Sequence, residues 1–166
     1  MILAIDVDYH EDNTAKVAGV LFENWEDKEP KEVYISHIAE VNAYISGEFY
    51  KRELPCILDI LKKVTQELDY IVVDSYVYLN EKMGLGAYLY EELNKKIKIV
   101  GVAKSAFRDI SSNTHLYRGE SKKPLYITSA GVDVEIAKVF VSHMHGKYRF
   151  PTLLKEVDRL CRECDD

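Results

Sequence analysis

The chain is poor in cysteine and has no long apolar run, and each shortage argues against a class of protein. Its 166 residues include only three cysteines, which do not suggest a disulfide framework. No apolar stretch approaches the roughly 20 residues of a membrane-spanning helix, and no basic segment followed by an apolar one opens the chain. We therefore expect one domain over residues 1–166, a reducing cytoplasmic setting and no contact with a membrane.

Basic residues are outnumbered by acidic ones, 22 against 28, and they are unevenly distributed along the chain. The net charge of −6 argues against nucleic-acid binding through bulk charge alone. Residues 1–50 carry 11 acidic and 3 basic side chains, whereas residues 95–149 carry 11 basic and 4 acidic ones. The basic part could form a face that meets phosphate, and ordinary scatter on a solvated surface explains the same asymmetry equally well.

The apolar pattern predicts an α/β fold. Three early strands are separated by polar turns, which favours an antiparallel meander. Later strands are joined through helices, which implies parallel pairing. The predicted strands are residues 1–9, 14–22, 31–38, 69–73, 97–102 and 124–128, and the predicted helices are 54–68, 84–94, 133–145 and 151–164. We expect a mixed sheet, a three-strand antiparallel meander plus parallel strands, with helices on both faces.

Two of the apolar strands run into aspartates, Asp6 and Asp74. If these strands are neighbours, their carboxylates can meet, and Glu53 at the start of a helix can lean over the same place. Clustered carboxylates repel one another and need protons or a divalent cation, and oxygen ligands favour Mg²⁺ or Mn²⁺. Lys104, directly after another strand, could balance a phosphate. The alternative is that these are unrelated charged residues at the solvent-exposed ends of strands.

Five stretches, in this order, resemble motifs of the endonuclease V family, whose members have a ribonuclease H-like fold. They are I-D-V-D-Y at 5–9, Y-I-S-G-E-F-Y-K-R-E-L-P at 44–55, I-V-V-D at 71–74, G-V-A-K-S at 101–105 and K-Y-R-F-P at 147–151. The second stretch is the most specific, because it follows the family pattern Y-x-S-G-x-x-x-x-R-E-x-P, whose glutamate is catalytic. The resemblance covers nearly the whole chain.

The resemblance implies a Mg²⁺- or Mn²⁺-dependent endonuclease that recognises hypoxanthine, the deaminated form of adenine, in DNA or RNA. It would cut the second phosphodiester on the 3′ side of that base. Asp6, Glu53 and Asp74 would be catalytic metal ligands, and Lys104 would be a catalytic group on the phosphate side. Tyr44 would lie in a wedge that fills the gap left by the extruded base. The substrate-binding residues implied are Tyr9, Tyr44, Ser46, Gly47, Arg52 and Ser75.

The chain departs from the family pattern where the base is read. After its second aspartate the family usually has D-G-x-G and then a histidine, whereas residues 74–80 read D-S-Y-V-Y-L-N. Side chains at the two glycine positions should reshape the base pocket, and Asn80 stands where the histidine is expected. Base preference therefore stays open. Two alternatives remain: a non-catalytic nucleic-acid-binding module on this fold, and a nuclease for another nucleic-acid structure.

A late carboxylate and a pair of cysteines can each be interpreted in two ways. Asp133 or Glu135 could supply a fourth carboxylate, since ribonuclease H-like folds often place one on a late helix, but Asp133 also suits the N-terminus of a helix. Cys161 and Cys164 have the spacing of half a zinc site, with two histidines nearby, but Cys161 also fits the apolar face of the last helix.

Overall fold

The structure is a computed structural model that describes residues 1–164. Over this range the strands are β1 (Ile2–Tyr9), β2 (Ala15–Phe22), β3 (Glu32–Ile38), β4 (Tyr70–Val73), β5 (Tyr78–Leu79), β6 (Lys82–Met83), β7 (Lys98–Ala103), β8 (His115–Leu116) and β9 (Leu125–Ala130). The α-helices are α1 (Tyr50–Leu61), α2 (Leu85–Glu92), α3 (Val134–His143) and α4 (Thr152–Arg162). Seven strands form one sheet, and β5 and β6 form a separate hairpin that the sequence did not predict.

The seven-stranded sheet has the order β3-β2-β1-β4-β7-β9-β8. The antiparallel meander of β1, β2 and β3 is confirmed. The parallel pairing of β4 with β1 and of β7 with β4 is also confirmed. The prediction of parallel pairing after the meander is wrong for β9, which runs antiparallel to β7. Residues 104–124, all of which the structure describes, contain no α-helix, so the chain can return in the opposite direction.

Helices cover both faces of the sheet, as predicted. Helices α1 and α2 pack on one face with one cluster of buried side chains, and α3 and α4 pack on the other face with a second cluster. The central strands contribute to both clusters, which explains why their sequences are nearly continuous apolar runs. Among the helices of residues 1–164, none is long and apolar enough to cross a bilayer.

Helix α1 begins at Tyr50 and not near Leu54 as predicted. Pro55 therefore lies inside the helix, where its missing N–H leaves the carbonyl of Lys51 without its helical partner. The side-chain amide of Asn42 donates to that carbonyl at 2.9 Å. The early start also places Glu53 in the first turn of the helix, where the helix dipole favours a negative charge.

Candidate active site

Strand register brings Asp6 and Asp74 to the same edge of the sheet. Ile5 of β1 is paired with Val73 of β4 in parallel, and the residue that follows each of them is an aspartate. The main-chain N–H of Val7 donates to Oδ1 of Asp6 at 2.9 Å, which orients that carboxyl group. The sequence could predict this meeting because parallel strands end together at one edge.

Lys104 follows β7 at the same edge and lies between two carboxylates. Its Nζ is 3.2 Å from Oδ2 of Asp74 and 3.9 Å from Oδ1 of Asp158. Asp158 is on α4, and its side chain is hydrogen-bonded to that of Asp6 and accepts from Nε of Arg162 at 2.9 Å. Sequence reasoning placed Lys104 here but missed Asp158.

Asp158, and not Asp133, is the carboxylate that a late helix brings to the site. Strand β9 runs antiparallel to β7, and Ala130 at its end is paired with Ile99 near the start of β7. Asp133, which follows, therefore lies at the opposite edge of the sheet from Asp74. There it is the N-cap of α3, and its Oδ1 accepts from the main-chain N–H of Glu135 at 2.8 Å. Helix α4 instead packs on β1 and β2, which carries Asp158 to Asp6.

Glu53 approaches the two aspartates from α1 and is almost fully buried, with 8% of its surface exposed. Its Oε2 has no hydrogen-bond partner among the described residues. Burial first, and then the charges of Asp6 and Asp74, raise the pKa of Glu53 to about 8. Burial, Asp74 and Asp158 together raise the pKa of Asp6 to about 7. At neutral pH these groups need protons or a cation close by.

Three of the carboxylates, but not Glu53, line a cavity of about 120 Å³ at the edge of the sheet. Asp6, Asp74, Lys104 and Asp158 share its wall with apolar side chains of β4, β7 and α4. Carboxylate oxygens are the donors that Mg²⁺ and Mn²⁺ prefer, and the unpartnered Oε2 of Glu53 is a buried acceptor that such an ion would satisfy. The donor set therefore fits a hard divalent cation.

The two cysteines of the possible zinc half-site are separated by the fold. Cys161 is buried, and its Sγ lies within 4.8 Å of carboxylate oxygens of Asp6 and Asp158. Cys164 is exposed. In residues 1–164 the group of close metal-ligand atoms that includes Cys161 contains neither Cys164 nor a histidine. The geometry supports the interpretation of Cys161 as part of the inward face of α4.

The predicted wedge residues lie in the loop before α1. Tyr44 is 60% exposed, and its ring contacts that of Phe49 edge to face at 6.3 Å. Ser46 is exposed in the same loop, and Gly47 follows it with a φ of +82°. An exposed aromatic ring on a short loop is a shape that could insert between bases.

Arg52 and Tyr9 form one stacked pair beside Glu53. The guanidinium carbon of Arg52 lies 3.9 Å from the centre of the Tyr9 ring. Burial, followed by the charge of Glu53, raises the pKa of the Tyr9 hydroxyl. Both predicted substrate-binding residues are therefore close to Glu53, and the pair connects α1 to β1.

A second cavity, of about 130 Å³, lies between the wedge loop and the segment after Asp74. Its lining includes Gly47, Ser75, Tyr76, Leu79 and Met83. The hydroxyl of Tyr76 is already engaged, because it donates to the carbonyl of Ser105 at 2.7 Å and accepts from the N–H of Phe107 at 3.1 Å. Of the two residues at the family's glycine positions, Ser75 lines this cavity and Val77 does not, and the apolar part of the lining comes from residues such as Leu79 and Met83.

Asn80 does not line this cavity. It lies in the turn between β5 and β6 with a φ of +58°, a conformation that asparagine adopts more readily than most residues. Its amide donates to the carbonyl of Arg108, in the loop after β7, at 3.5 Å.

A mixed sheet with acidic side chains at the shared end of its central strands, completed by a carboxylate from the last helix, defines a ribonuclease H-like nuclease fold. The sequence profile of endonuclease V matches residues 1–126, and this chain belongs to the endonuclease V family. The fold and the family resemblance drawn from the sequence are both confirmed.

Individual endonuclease V proteins match this chain over most of their own length. Endonuclease V of Nostoc punctiforme is 26% identical over 180 residues, which span 96% of this chain and 80% of the relative. The structure of Ciona intestinalis endonuclease V, in complex with a 24mer DNA containing an inosine followed by a ribo-adenosine, matches with a TM-score of 0.81 at 16% identity and covers 97% of this chain and 83% of that one. The structure of Bacillus subtilis endonuclease V matches with a TM-score of 0.79 at 19% identity, and the match covers 96% of this chain and 78% of the Bacillus chain.

Proposed function

We propose that this protein is a metal-dependent endonuclease, with residues 1–166 acting as one domain. The observation that carries the proposal is the meeting of Asp6, Asp74 and Asp158 with Lys104, below a buried Glu53 whose Oε2 has no partner among the described residues. Such an arrangement is costly for a protein that has no cation to place there.

The carboxylates would hold Mg²⁺ or Mn²⁺. When bound, the ion would supply an ionised water and positive charge near the scissile phosphate. Lys104, already 3.2 Å from Asp74, would place its ammonium group beside a phosphate oxygen and stabilise the charge that develops there. Glu53 and Asp6, whose pKa values are raised in the metal-free protein, would release their protons when the ion binds and would act as carboxylate ligands.

The proposed substrate is DNA or RNA that contains hypoxanthine, cut at the second phosphodiester on the 3′ side. Membership of the family and the inosine-containing DNA bound by the Ciona relative support this choice. In the proposal the exposed ring of Tyr44 fills the gap that the extruded base leaves, and the cavity beside Ser75 receives that base. The cysteine content supports a cytoplasmic setting.

The direct test is a cleavage assay on end-labelled single- and double-stranded DNA and RNA with one inosine, in Mg²⁺ and in Mn²⁺. We expect one cut at a fixed distance from the inosine, and its loss in Asp6→Asn and Asp74→Asn. Asp133→Asn is the matched control, since Asp133 lies at the other edge of the sheet. Equal activity of wild type and both site variants, or no cleavage of any substrate, would contradict the proposal.

The apolar cavity beside Ser75 favours a second candidate, a nuclease that acts on another nucleic-acid structure with the same carboxylates. Few polar groups there are free to read hypoxanthine, since the Tyr76 hydroxyl is engaged by Ser105 and Phe107. A panel of abasic, flapped and branched substrates separates the two candidates. A non-catalytic nucleic-acid-binding module on this fold would bind nucleic acid in a salt-sensitive way without cleaving it, and titration with Mn²⁺ would give no heat of binding.

A further inference from the structure

Tyr148 is an exposed aromatic residue between two lysines, in the turn that precedes α4. The residue is 58% exposed. Nζ of Lys155 lies 4.4 Å from the centre of its ring, and Nζ of Lys147 lies 5.5 Å from it. A ring with two ammonium groups beside it combines the two features that bind single-stranded nucleic acid, a stacking surface and charge for the backbone.

The turn that carries Tyr148 is held rigidly. The buried guanidinium of Arg118 donates to four carbonyls of this segment: Met144 at 2.7 Å, Gly146 at 2.9 Å, Tyr148 at 2.7 Å and Arg149 at 3.3 Å. A rigid aromatic ring loses little conformational entropy when a base stacks on it. The side chain is therefore exposed on a well-defined backbone.

The turn is also connected to the carboxylate site. Nη2 of Arg149 donates to the carbonyl of Lys104 at 2.5 Å. Lys155 lies over the Tyr148 ring and at the same time lines the cavity that contains Asp6 and Asp74. A strand whose phosphate lies in that cavity would therefore pass the Tyr148 ring within a few nucleotides.

We propose that Tyr148, Lys147 and Lys155 form a stacking platform for a base near the scissile phosphodiester, on a single-stranded stretch of DNA or RNA. This platform rests on the proposed function for the path of the strand. It is separate from the wedge loop and from the cavity beside Ser75, and Lys147 belongs to the basic segment 95–149. Because every base has a π-face, the platform would bind without sequence preference.

Fluorescence of 2-aminopurine tests the platform. Single-stranded oligonucleotides with one inosine carry 2-aminopurine at successive positions, and binding is measured with Ca²⁺ present to supply the divalent charge. We expect quenching at one position in the wild type, retained in Tyr148→Phe and lost in Tyr148→Leu. Affinity should fall about 5- to 150-fold in Tyr148→Leu, the range expected for losing one stacked base.

The lysines are tested by salt dependence. Lys147→Ala and Lys155→Ala should each lower the slope of log affinity against log salt by about one. Lys95→Ala, just before β7 at the opposite edge of the sheet, is the matched control and should leave that slope unchanged. Unchanged affinity and quenching in Tyr148→Leu would overturn the platform.

These outcomes separate the platform from the proposed function. Suppose that the wild type cleaves an inosine substrate, and that Tyr148→Leu has the same oligonucleotide affinity and the same 2-aminopurine quenching as the wild type. The platform proposal is then wrong, and the nuclease proposal is unaffected. If the wild type binds and quenches at one position through Tyr148 but never cleaves, the nuclease proposal fails and the platform stands. If the wild type does not bind any oligonucleotide, both are wrong.

Discussion

Replacing Asp6 with asparagine should make the metal-free protein more stable at alkaline pH while abolishing its response to metal. The pKa of Asp6 is raised from 3.8 to about 7 because the carboxyl group is buried and faces Asp74 and Asp158. A group whose pKa is raised on folding stabilises the fold at low pH, and this stability is lost as the pH rises through its folded pKa. The asparagine side chain in the variant would carry no charge at any of these pH values, so this loss would not occur.

The size of the effect follows from the same values. A rise from 3.8 to about 7 corresponds to about 4 kcal/mol. The site shares its protons among several carboxyl groups, and Glu53 at about 8 takes part in the same titration. We therefore expect about half of that, about 2 kcal/mol, for Asp6→Asn at pH 8.5. For a chain of this length, that is an increase of about 4–8 °C in Tm.

The assay is thermal unfolding in EDTA and in Mn²⁺, at pH 5.5 and at pH 8.5. In EDTA, Asp6→Asn should have a higher Tm than the wild type at both pH values, and the difference should be larger at pH 8.5, because the wild type loses stability progressively from pH 3.8 to about 7. Mn²⁺ should raise the wild-type Tm mainly at pH 8.5 and should leave the variant nearly unchanged. Asp8→Asn is the control, because Asp8 lies on the same strand but pairs with His10 at 3.5 Å. An Asp6→Asn variant that is less stable than wild type in EDTA at pH 8.5 would refute the reasoning.

Three further predictions concern single residues. Lys104→Ala should lower kcat about 10²- to 10³-fold in the cleavage assay, since its ammonium group is held against Asp74 for charge stabilisation; an unchanged kcat would contradict this role. Tyr44→Ala should reduce kcat/KM more on duplex than on single-stranded inosine substrates, because base extrusion is required in the duplex; equal losses would remove Tyr44 from the wedge. Asp133→Ala should cost about 1 kcal/mol in urea unfolding with no loss of specific activity, because Asp133 caps α3.

The sequence predicts the meeting of Asp6 and Asp74 because it depends only on local patterns. Asp6 follows the apolar first residues of β1, Asp74 follows β4, and the meander plus one helix between β1 and β4 lets these two strands run parallel. Lys104 follows from the same rule through the pairing of β7 with β4. Glu53 joins them because it is in the first turn of a helix whose apolar face packs on β1 and β2.

Asp158 could not be predicted in this way, because its position depends on a long-range contact. The pattern of α4 indicates a helix, but not which strands it packs against. The helix packs on β1 and β2, and this contact places Asp158 beside Asp6 and Asp74. Asp133 was the more visible candidate because it begins a helix, and that position is explained by capping.

The start of α1 and the direction of β9 were mispredicted for related reasons. Pro55 is usually a marker of a first turn, but here Asn42 satisfies the carbonyl that proline leaves free, and the helix can start earlier. Residues 104–124 have little regular structure, so the sequence contains no signal for the direction in which the chain returns.

We propose that Asp6, Asp74 and Asp158 hold a divalent cation. The most direct measurement is an anomalous difference map from crystals of the protein grown with Mn²⁺ at pH 8. We expect a strong peak in contact with the carboxylate oxygens of Asp6 and Asp158, and its loss in crystals of Asp6→Asn. A map in which this cavity holds no anomalous peak, from crystals that bind Mn²⁺ elsewhere, would show that these carboxylates do not form the metal site.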